Sequence, residues 1–380
     1  MNTFVYVSVN VNQRLKTSAA TLLLTFVKRK LSSSNNQNHV IFEEVNGKSI
    51  IWLNRPHALN ALSTSMTEKI CTQMMSWKKE LRPVIFKATE GVAFSAGGDL
   101  KEALSRKADL ATNLTRMIAL MASYQPPCIV LMDGVTMGAG CSISVCGRFS
   151  VATERTVFAL PEVAKGYFPD VGASHFLPGL PGRLGYLLAL TGHRLEGHQV
   201  MEAGLATHYC QSTSLQGLQG ALVSCPGTSS LDIEHVLEEH AQSKGSSAES
   251  TVALNLKDVE TCFSAATVED IMLRLKYLDH AWAREALARM TAASPTSLKV
   301  TKKLLDNGAK LALSKCLLMA HSLSLNYTLT QVSDFDEGIR ATLIDKDRRP
   351  RWKPAKLEEV TDDMVDKLFA PLSSRFDLRI

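Results

Sequence analysis

Ser49-Ile-Ile-Trp-Leu53, then a helical pattern from Ser63 to Lys79, then Pro83-Val-Ile-Phe-Lys87, set the order strand, helix, strand early in the chain. Short runs rich in β-branched and aromatic residues suit strands, and apolar residues recurring at a spacing of three and four suit a helix. The pattern continues with Cys128-Ile-Val-Leu-Met132 and Phe149-Ser-Val-Ala152, each followed by a Gly-rich or polar turn. Alternation of this kind predicts an α/β core. From about Asp232 onward strand signals stop. Ser243-Lys-Gly-Ser-Ser247 predicts a flexible loop, and segments 267–290, 295–306 and 309–330 carry helical spacing. Ser294-Pro295 suits a helix start, with Ser294 as the cap and Pro295 at the first helical position. The charged stretch Asp345 to Arg351 fits a solvated turn. We therefore expect a leader over 1–38, an α/β core over 39–231 and a mostly helical region over 232–380.

The chain has 380 residues, 45% hydrophobic and 21% charged, enough for one large core plus an accessory region. Its formal charge of +5 is misleading, because Arg14, Lys16, Lys28, Arg29 and Lys30 all precede the first acidic residue, Glu43. Without those five, 37 basic residues face 37 acidic ones, so no nucleic-acid partner is implied. The acid-free, basic, Ser- and Thr-bearing leader has the composition of a mitochondrial transit peptide, which places the mature protein in the matrix. Its apolar stretch Ala19 to Val27 is too short to span a bilayer, so no membrane partner is expected. A secretory signal is the rival, but Lys28-Arg29-Lys30 stands where a small-residue cleavage site would be needed. Eight cysteines lie scattered without CxxC spacing, as in a reduced core, and ten histidines form no HxxxH or HExxH pair. No metal is expected.

Two small-residue turns stand out, Ser95-Ala-Gly-Gly-Asp99 and Met137-Gly-Ala-Gly140. Neither fits GxGxxG or a P-loop, so a nucleotide-phosphate cradle is not indicated. Such turns let backbone N–H groups approach a ligand oxygen, and two of them converging would make an oxyanion hole. Taken singly, each is equally a tight strand-to-helix turn. The third feature is Leu160-Pro-Glu-Val-Ala-Lys-Gly-Tyr-Phe-Pro-Asp-Val-Gly172, with carboxylates eight residues apart in apolar surroundings that tend to raise their pKa values. By themselves Glu162 and Asp170 would also serve as a helix N-terminal acid and a cap.

Together, Asn54-Arg-Pro-His-Ala-Leu-Asn-Ala-Leu62, the Ala96-Gly-Gly-Asp99 turn and the second Gly-rich turn make the chain resemble the crotonase superfamily. Phe158-Ala-Leu-Pro-Glu162 with Gly166-Tyr-Phe-Pro-Asp-Val-Gly172, then Leu190-Thr-Gly192, Ala203-Gly-Leu-Ala-Thr-His208 and Asp336-Glu-Gly-Ile-Arg-Ala-Thr-Leu-Ile-Asp-Lys-Asp347 with Pro350-Arg-Trp-Lys-Pro354, resemble its hydrolase branch. These motifs run from about residue 40 to 356. The resemblance implies a spiral of ββα units whose turns give two backbone N–H groups, here those of Gly98 and Ala139, to a thioester oxygen. It implies that Glu162 acts as nucleophile or as general base toward water, and that Asp170 holds a substrate 3-hydroxyl and helps protonate the leaving thiolate. It places His57, Ala58, Leu59, Ala96, Asp99 and Leu100 against the CoA part of the substrate, so no separate cofactor is required. The implied reaction is hydrolysis of a short 3-hydroxyacyl-CoA, 3-hydroxyisobutyryl-CoA foremost, as in valine breakdown, and a homo-oligomer is compatible with it.

Hydratases of the superfamily carry a second glutamate where this chain has Ser142, and dienoyl-CoA isomerases also have an acid there. Without it, addition of water across a double bond lacks one of its two acid/base groups. The chain departs from the hydrolase pattern at four places. Asn113-Leu-Thr115 replaces a Phe-Arg-Glu-Glu-Tyr motif, Ala139 replaces a glycine, His57 replaces a lysine, and Ser322-Leu-Ser324 replaces a Glu-x-Arg pair. Those departures keep a second class open, a non-catalytic mitochondrial scaffold on the same fold. A scaffold has no need of both Glu162 and Asp170 beside intact oxyanion turns.

Overall fold

The computed structural model describes residues 38–89, 91–243, 255–329, 334–372 and 378. The expected leader, except its last residue, lies outside the described residues, and so do positions 244–247 of the predicted loop. Strands β1 (Val40–Val45) and β2 (Lys48–Leu53) form an antiparallel hairpin. Its tight turn is Asn46-Gly47, both at positive φ, the pairing such turns favour. All six residues of β2 are buried, which is why Ser49 to Leu53 reads as a nearly continuous apolar run rather than an alternating one. Next, β3 (Val84–Ala88) pairs in parallel with β2, and β4 (Ala93–Ser95) leaves for a second sheet.

The step repeats. Strand β5 (Cys128–Met132) joins the first sheet and β6 (Val135–Met137) the second; β7 (Phe149–Ala152) and β8 (Val157–Ala159) follow the same path. Among the described residues, strands β9 (Leu195–Glu196), β10 (His208–Tyr209) and β11 (Gln242–Ser243) complete sheets of seven and four strands. Helices α1 (Thr64–Lys79), α2 (Leu100–Ala122) and α3 (Ala139–Cys146) bring the chain back after the first three strand pairs. The result is the expected spiral of ββα units. Ser63 caps α1 by accepting from Met66 N at 3.3 Å, and Met66, Ile70, Met74 and Trp77 put one apolar stripe into the core.

The expected domain boundary near residue 232 falls inside the helix Ser230–His240, whose Ile233, Val236 and Leu237 pack with Ile50, Ile85 and Ile129 of the large sheet. Two expectations need correction. Strand signals do not end at 232, because β11 pairs antiparallel with β10; its two residues are exposed and carry no apolar pattern. Segment 267–290 is two helices, Val268–Tyr277 and Ala281–Ala292, broken where Leu278 and His280 take extended backbone. Buried Leu275 and Ala283 are eight residues apart, a helical spacing, so periodicity alone runs straight through the break. The other two helices are observed over Pro295–Gly308 and Leu313–Leu329, the first capped by Ser294 as expected.

The helical region closes over the 162–172 segment. Ser294 N donates to the Val163 carbonyl at 3.1 Å, and the helix Asp334–Ile339 presses on Gly166, which sits at φ +70. A Cβ on Gly166 would lie 2.1 Å from the Asp334 carbonyl oxygen. Gly166→Ala combines backbone strain with a clash against main chain that cannot rotate away, and is expected to cost about 2–4 kcal/mol. Urea unfolding at constant m-value measures this; an unchanged midpoint would mean the helix does not dock there in solution.

Candidate active site

Register brings the three sequence features together. Strands β4 and β6 run parallel with Ala93 opposite Val135 and Ser95 opposite Thr136, so the turns leaving their C-terminal ends are neighbours. Strand β8, with Ala159 opposite Met137, delivers Glu162 to the same edge. Ligand sites at the carboxyl ends of parallel strands are the rule in α/β sheets. Glycine is needed where the turns touch. A Cβ on Gly97 would lie 2.9 Å from the Met137 carbonyl oxygen and 3.2 Å from Ala139 N, and one on Gly138 would lie 2.9 Å from Glu162 Oε1.

Leu62 N donates to the Gly97 carbonyl at 2.8 Å and Asp99 N to the Leu62 carbonyl at 2.9 Å, in a parallel bridge between Leu62 and Gly98. The N–H of Gly98 therefore points away from Leu62. Ala139 is the first residue of α3, and its N–H has no carbonyl acceptor within the helix. Gly98 and Ala139 line one cavity with Glu162 and Asp170. The cavity holds about 70 Å³ of space. By the same measure that is room for about five waters. The methyl of Ala139 is buried within the hydrophobic core.

The two carboxyls differ in environment. Glu162 opens a 3-10 helix over Glu162–Lys165, and its Oε2 is buried without a hydrogen-bond partner. A buried polar atom without a partner in the protein is one that a water or a substrate group can engage. Burial pushes its carboxyl up to about 7, against the nearby positive charge of Lys165. Asp170 is pushed up further, to about 8, first by burial and then by the negative charge of Glu162, with the Tyr167 hydroxyl acting the other way. Both carboxyls are thus raised toward neutrality, and two neighbouring buried carboxyls of this kind can divide the work of base and acid, one ionised while the other keeps its proton.

The remaining expected residues divide. Ala96 and Leu100 line the cavity. Asp99 does not; it caps α2 by accepting from Lys101 N at 2.9 Å and pairs with Arg55. Burial raises the Asp99 carboxyl, but Arg55 and the amides of Glu102 and Lys101 outweigh it and hold it below the usual range. His57, Ala58 and Leu59 sit on a 3-10 turn outside the cavity lining, with His57 and Leu59 exposed, and the Leu59 carbonyl anchors Ala96 N at 2.9 Å. Ser142 is buried in α3 outside the lining. Asn113 bonds to Glu68 and the Asp109 carbonyl on the outer face of α2, and Thr115 to the Ala111 carbonyl. Ser324 is buried beneath the site, 2.6 Å from the Tyr167 hydroxyl.

Beside apolar lining residues such as Ala103, Leu110 and Phe335, sequence reading missed the three polar side chains Lys107, Lys165 and Tyr167. A signal for the first was present: Leu100, Ala103, Lys107, Leu110, Ala111 and Leu114 form one helical stripe, and a lysine within an apolar stripe is conspicuous. Its ammonium lies 4.3 Å from the Phe335 ring centre and 3.4 Å from Asp336.

A sequence model described as enoyl-CoA hydratase/isomerase matches residues 48–369. The mitochondrial 3-hydroxyisobutyryl-CoA hydrolase of Rattus norvegicus is 42% identical over 361 residues, covering 91% of this chain and 92% of that protein. The Homo sapiens protein of the same name is 41% identical, covering 88% and 89%. Among solved structures, an enoyl-CoA hydratase from Rhodobacter sphaeroides superposes with a TM-score of 0.79 at 31% identity, over 88% of this chain and 98% of its own. A carnitinyl-CoA dehydratase from Mycobacterium thermoresistibile gives 0.81 at 29%, over 89% and 98%.

Proposed function

Since the chain belongs to the enoyl-CoA hydratase/isomerase family, on the branch of the 3-hydroxyisobutyryl-CoA hydrolases, we propose that it hydrolyses 3-hydroxyisobutyryl-CoA to 3-hydroxyisobutyrate and CoA. The observation that carries this reading is the placement of Glu162 and Asp170 in one cavity with the amides of Gly98 and Ala139. The thioester oxygen takes the two N–H groups, each worth about 2.7–4 kcal/mol to the tetrahedral transition state. Glu162, in its carboxylate form and without a hydrogen-bond partner on Oε2, attacks the carbonyl carbon or takes a proton from the water that does. Asp170 holds the 3-hydroxyl and gives its proton to the departing thiolate. Every proton the hydrolysis moves thus has a group on this chain to hold it, with CoA entering only as part of the substrate.

The scaffold alternative would leave the orphaned Glu162 oxygen and the paired turns without a purpose. A thiol-release assay with a panel of short acyl-CoA esters tests the choice. Turnover should be fastest with 3-hydroxyisobutyryl-CoA, and no release from any 3-hydroxyacyl ester would leave the scaffold standing.

Like its relatives, named as mitochondrial, the protein is mitochondrial, and the acid-free basic leader supports the matrix in particular. The mature chain is expected to begin between about residues 30 and 40. N-terminal sequencing of protein purified from its source checks this, and an intact Met1 would overturn it.

A further inference from the structure

The 3-10 helix Glu162–Lys165 is four residues long, and at three residues per turn its first and last side chains stand on one face. Both line the cavity. Among the described residues no hydrogen bond or ion pair engages the Lys165 ammonium, and Glu162 Oε2 has no hydrogen-bond partner. Resting on the hydrolase reading, we propose that Lys165 is a positioning residue whose positive charge, on the same helical face as Glu162, holds that side chain as the carboxylate the reaction uses.

The other charges around Glu162 are engaged elsewhere or have the wrong sign. Lys107, the second cation of the cavity, reaches across to Asp336 at 3.4 Å. On the helix Asp334–Ile339, Asp334 accepts from Ser294 and Lys353 N, and Glu337 pairs with Arg340. On the helix Leu184–Thr191, Tyr186 donates to Asp306. On Pro295–Gly308, Lys299, Lys302 and Lys303 pair with Glu269, Asp306 and Asp366. The Cys141 thiol on α3 donates to the Thr136 and Ala159 carbonyls, and Asp170 and Tyr167 add no positive charge. Lys165 is left as the unpaired cation of the cavity. Burial pushes its own ammonium down while Glu162 raises it again, and Lys165 in turn lowers Glu162.

Glu162 can be titrated directly, by 13C NMR of protein labelled at the glutamate carboxyl carbons, with Glu162→Gln to assign its signal. Lys165→Met keeps the length and removes the charge, and should move the Glu162 midpoint up by about one pH unit or more, the usual effect of losing an opposite charge at close range. Lys165→Arg should restore it. The acidic limb of kcat/KM for 3-hydroxyisobutyryl-CoA should move with the midpoint, so that Lys165→Met loses about tenfold on that limb and regains wild-type turnover above it. Should Lys165→Met fail to fold, Lys165→Gln provides the same comparison. A Glu162 midpoint unmoved by loss of the charge overturns the proposal. A midpoint that moves in a protein without turnover upholds it and overturns the hydrolase reading instead.

Discussion

Glu162→Gln is expected to lower kcat at least about a hundredfold with little change in KM. The amide keeps the shape of the side chain and its place beside Gly138, but it can neither attack the thioester carbon nor accept a proton from water. Losing a base made use of chiefly in the transition state lowers kcat and kcat/KM together, whereas losing a ground-state contact would raise KM. Stability should respond in the opposite sense. The Glu162 carboxyl is raised from 4.5 to about 7 in the folded protein, so below about 4.5 it is protonated in both folded and unfolded chains. As pH climbs toward 7 the unfolded chain gives up its proton freely and the folded chain only at a cost, so the native state loses stability across that window. Glutamine has no proton to lose. The melting temperatures of wild type and variant should therefore match near pH 4 and separate by pH 8 in favour of the variant, less whatever Lys165 forfeits with its counter-charge. Near-normal turnover by Glu162→Gln would end the hydrolase mechanism.

That a functional group here opposes stability bears on what could be foreseen from residues alone. The ββα spiral was legible because β2, β3, β5 and β7 are short apolar runs and because α1 repeats its apolar residues at helical spacing. The convergence of Gly98 and Ala139 was not a local property. It follows from the parallel pairing of β4 with β6, strands of three residues each whose sequence carries no register signal of its own. From residues alone, only the resemblance of the two turns to those of a known family implies that they meet. Lys165 was hidden for a different reason. At a spacing of three it would face Glu162 in either a 3-10 or an α-helix, but Gly166 and the prolines on either side interrupt any helical period, so the spacing alone does not pair the two. The C-terminal helices were found as elements, but their docking on Gly166 and Val163 depends on main-chain contacts that periodicity cannot express.

The two duties assigned to Asp170 can be separated by the choice of replacement. Asparagine keeps an amide that can still bond a substrate hydroxyl, but it has no proton to give to the leaving thiolate; Asp170→Asn should slow 3-hydroxyisobutyryl-CoA and isobutyryl-CoA by similar factors. Leucine has nearly the same shape and no polar atom. Asp170→Leu should slow both esters through loss of the acid, and should slow the hydroxylated one further, because its hydroxyl is then buried without a partner. Such an unpaired group costs about 1–3 kcal/mol, or about 5- to 150-fold in kcat/KM. The quantity to measure is the ratio of kcat/KM for the two esters in all three proteins. It should favour the hydroxylated ester in wild type, hold in Asp170→Asn, and collapse in Asp170→Leu. A ratio that leucine leaves intact would place the hydroxyl on another group, with Tyr167, which also lines the cavity and whose hydroxyl rests on Ser324, next to be replaced.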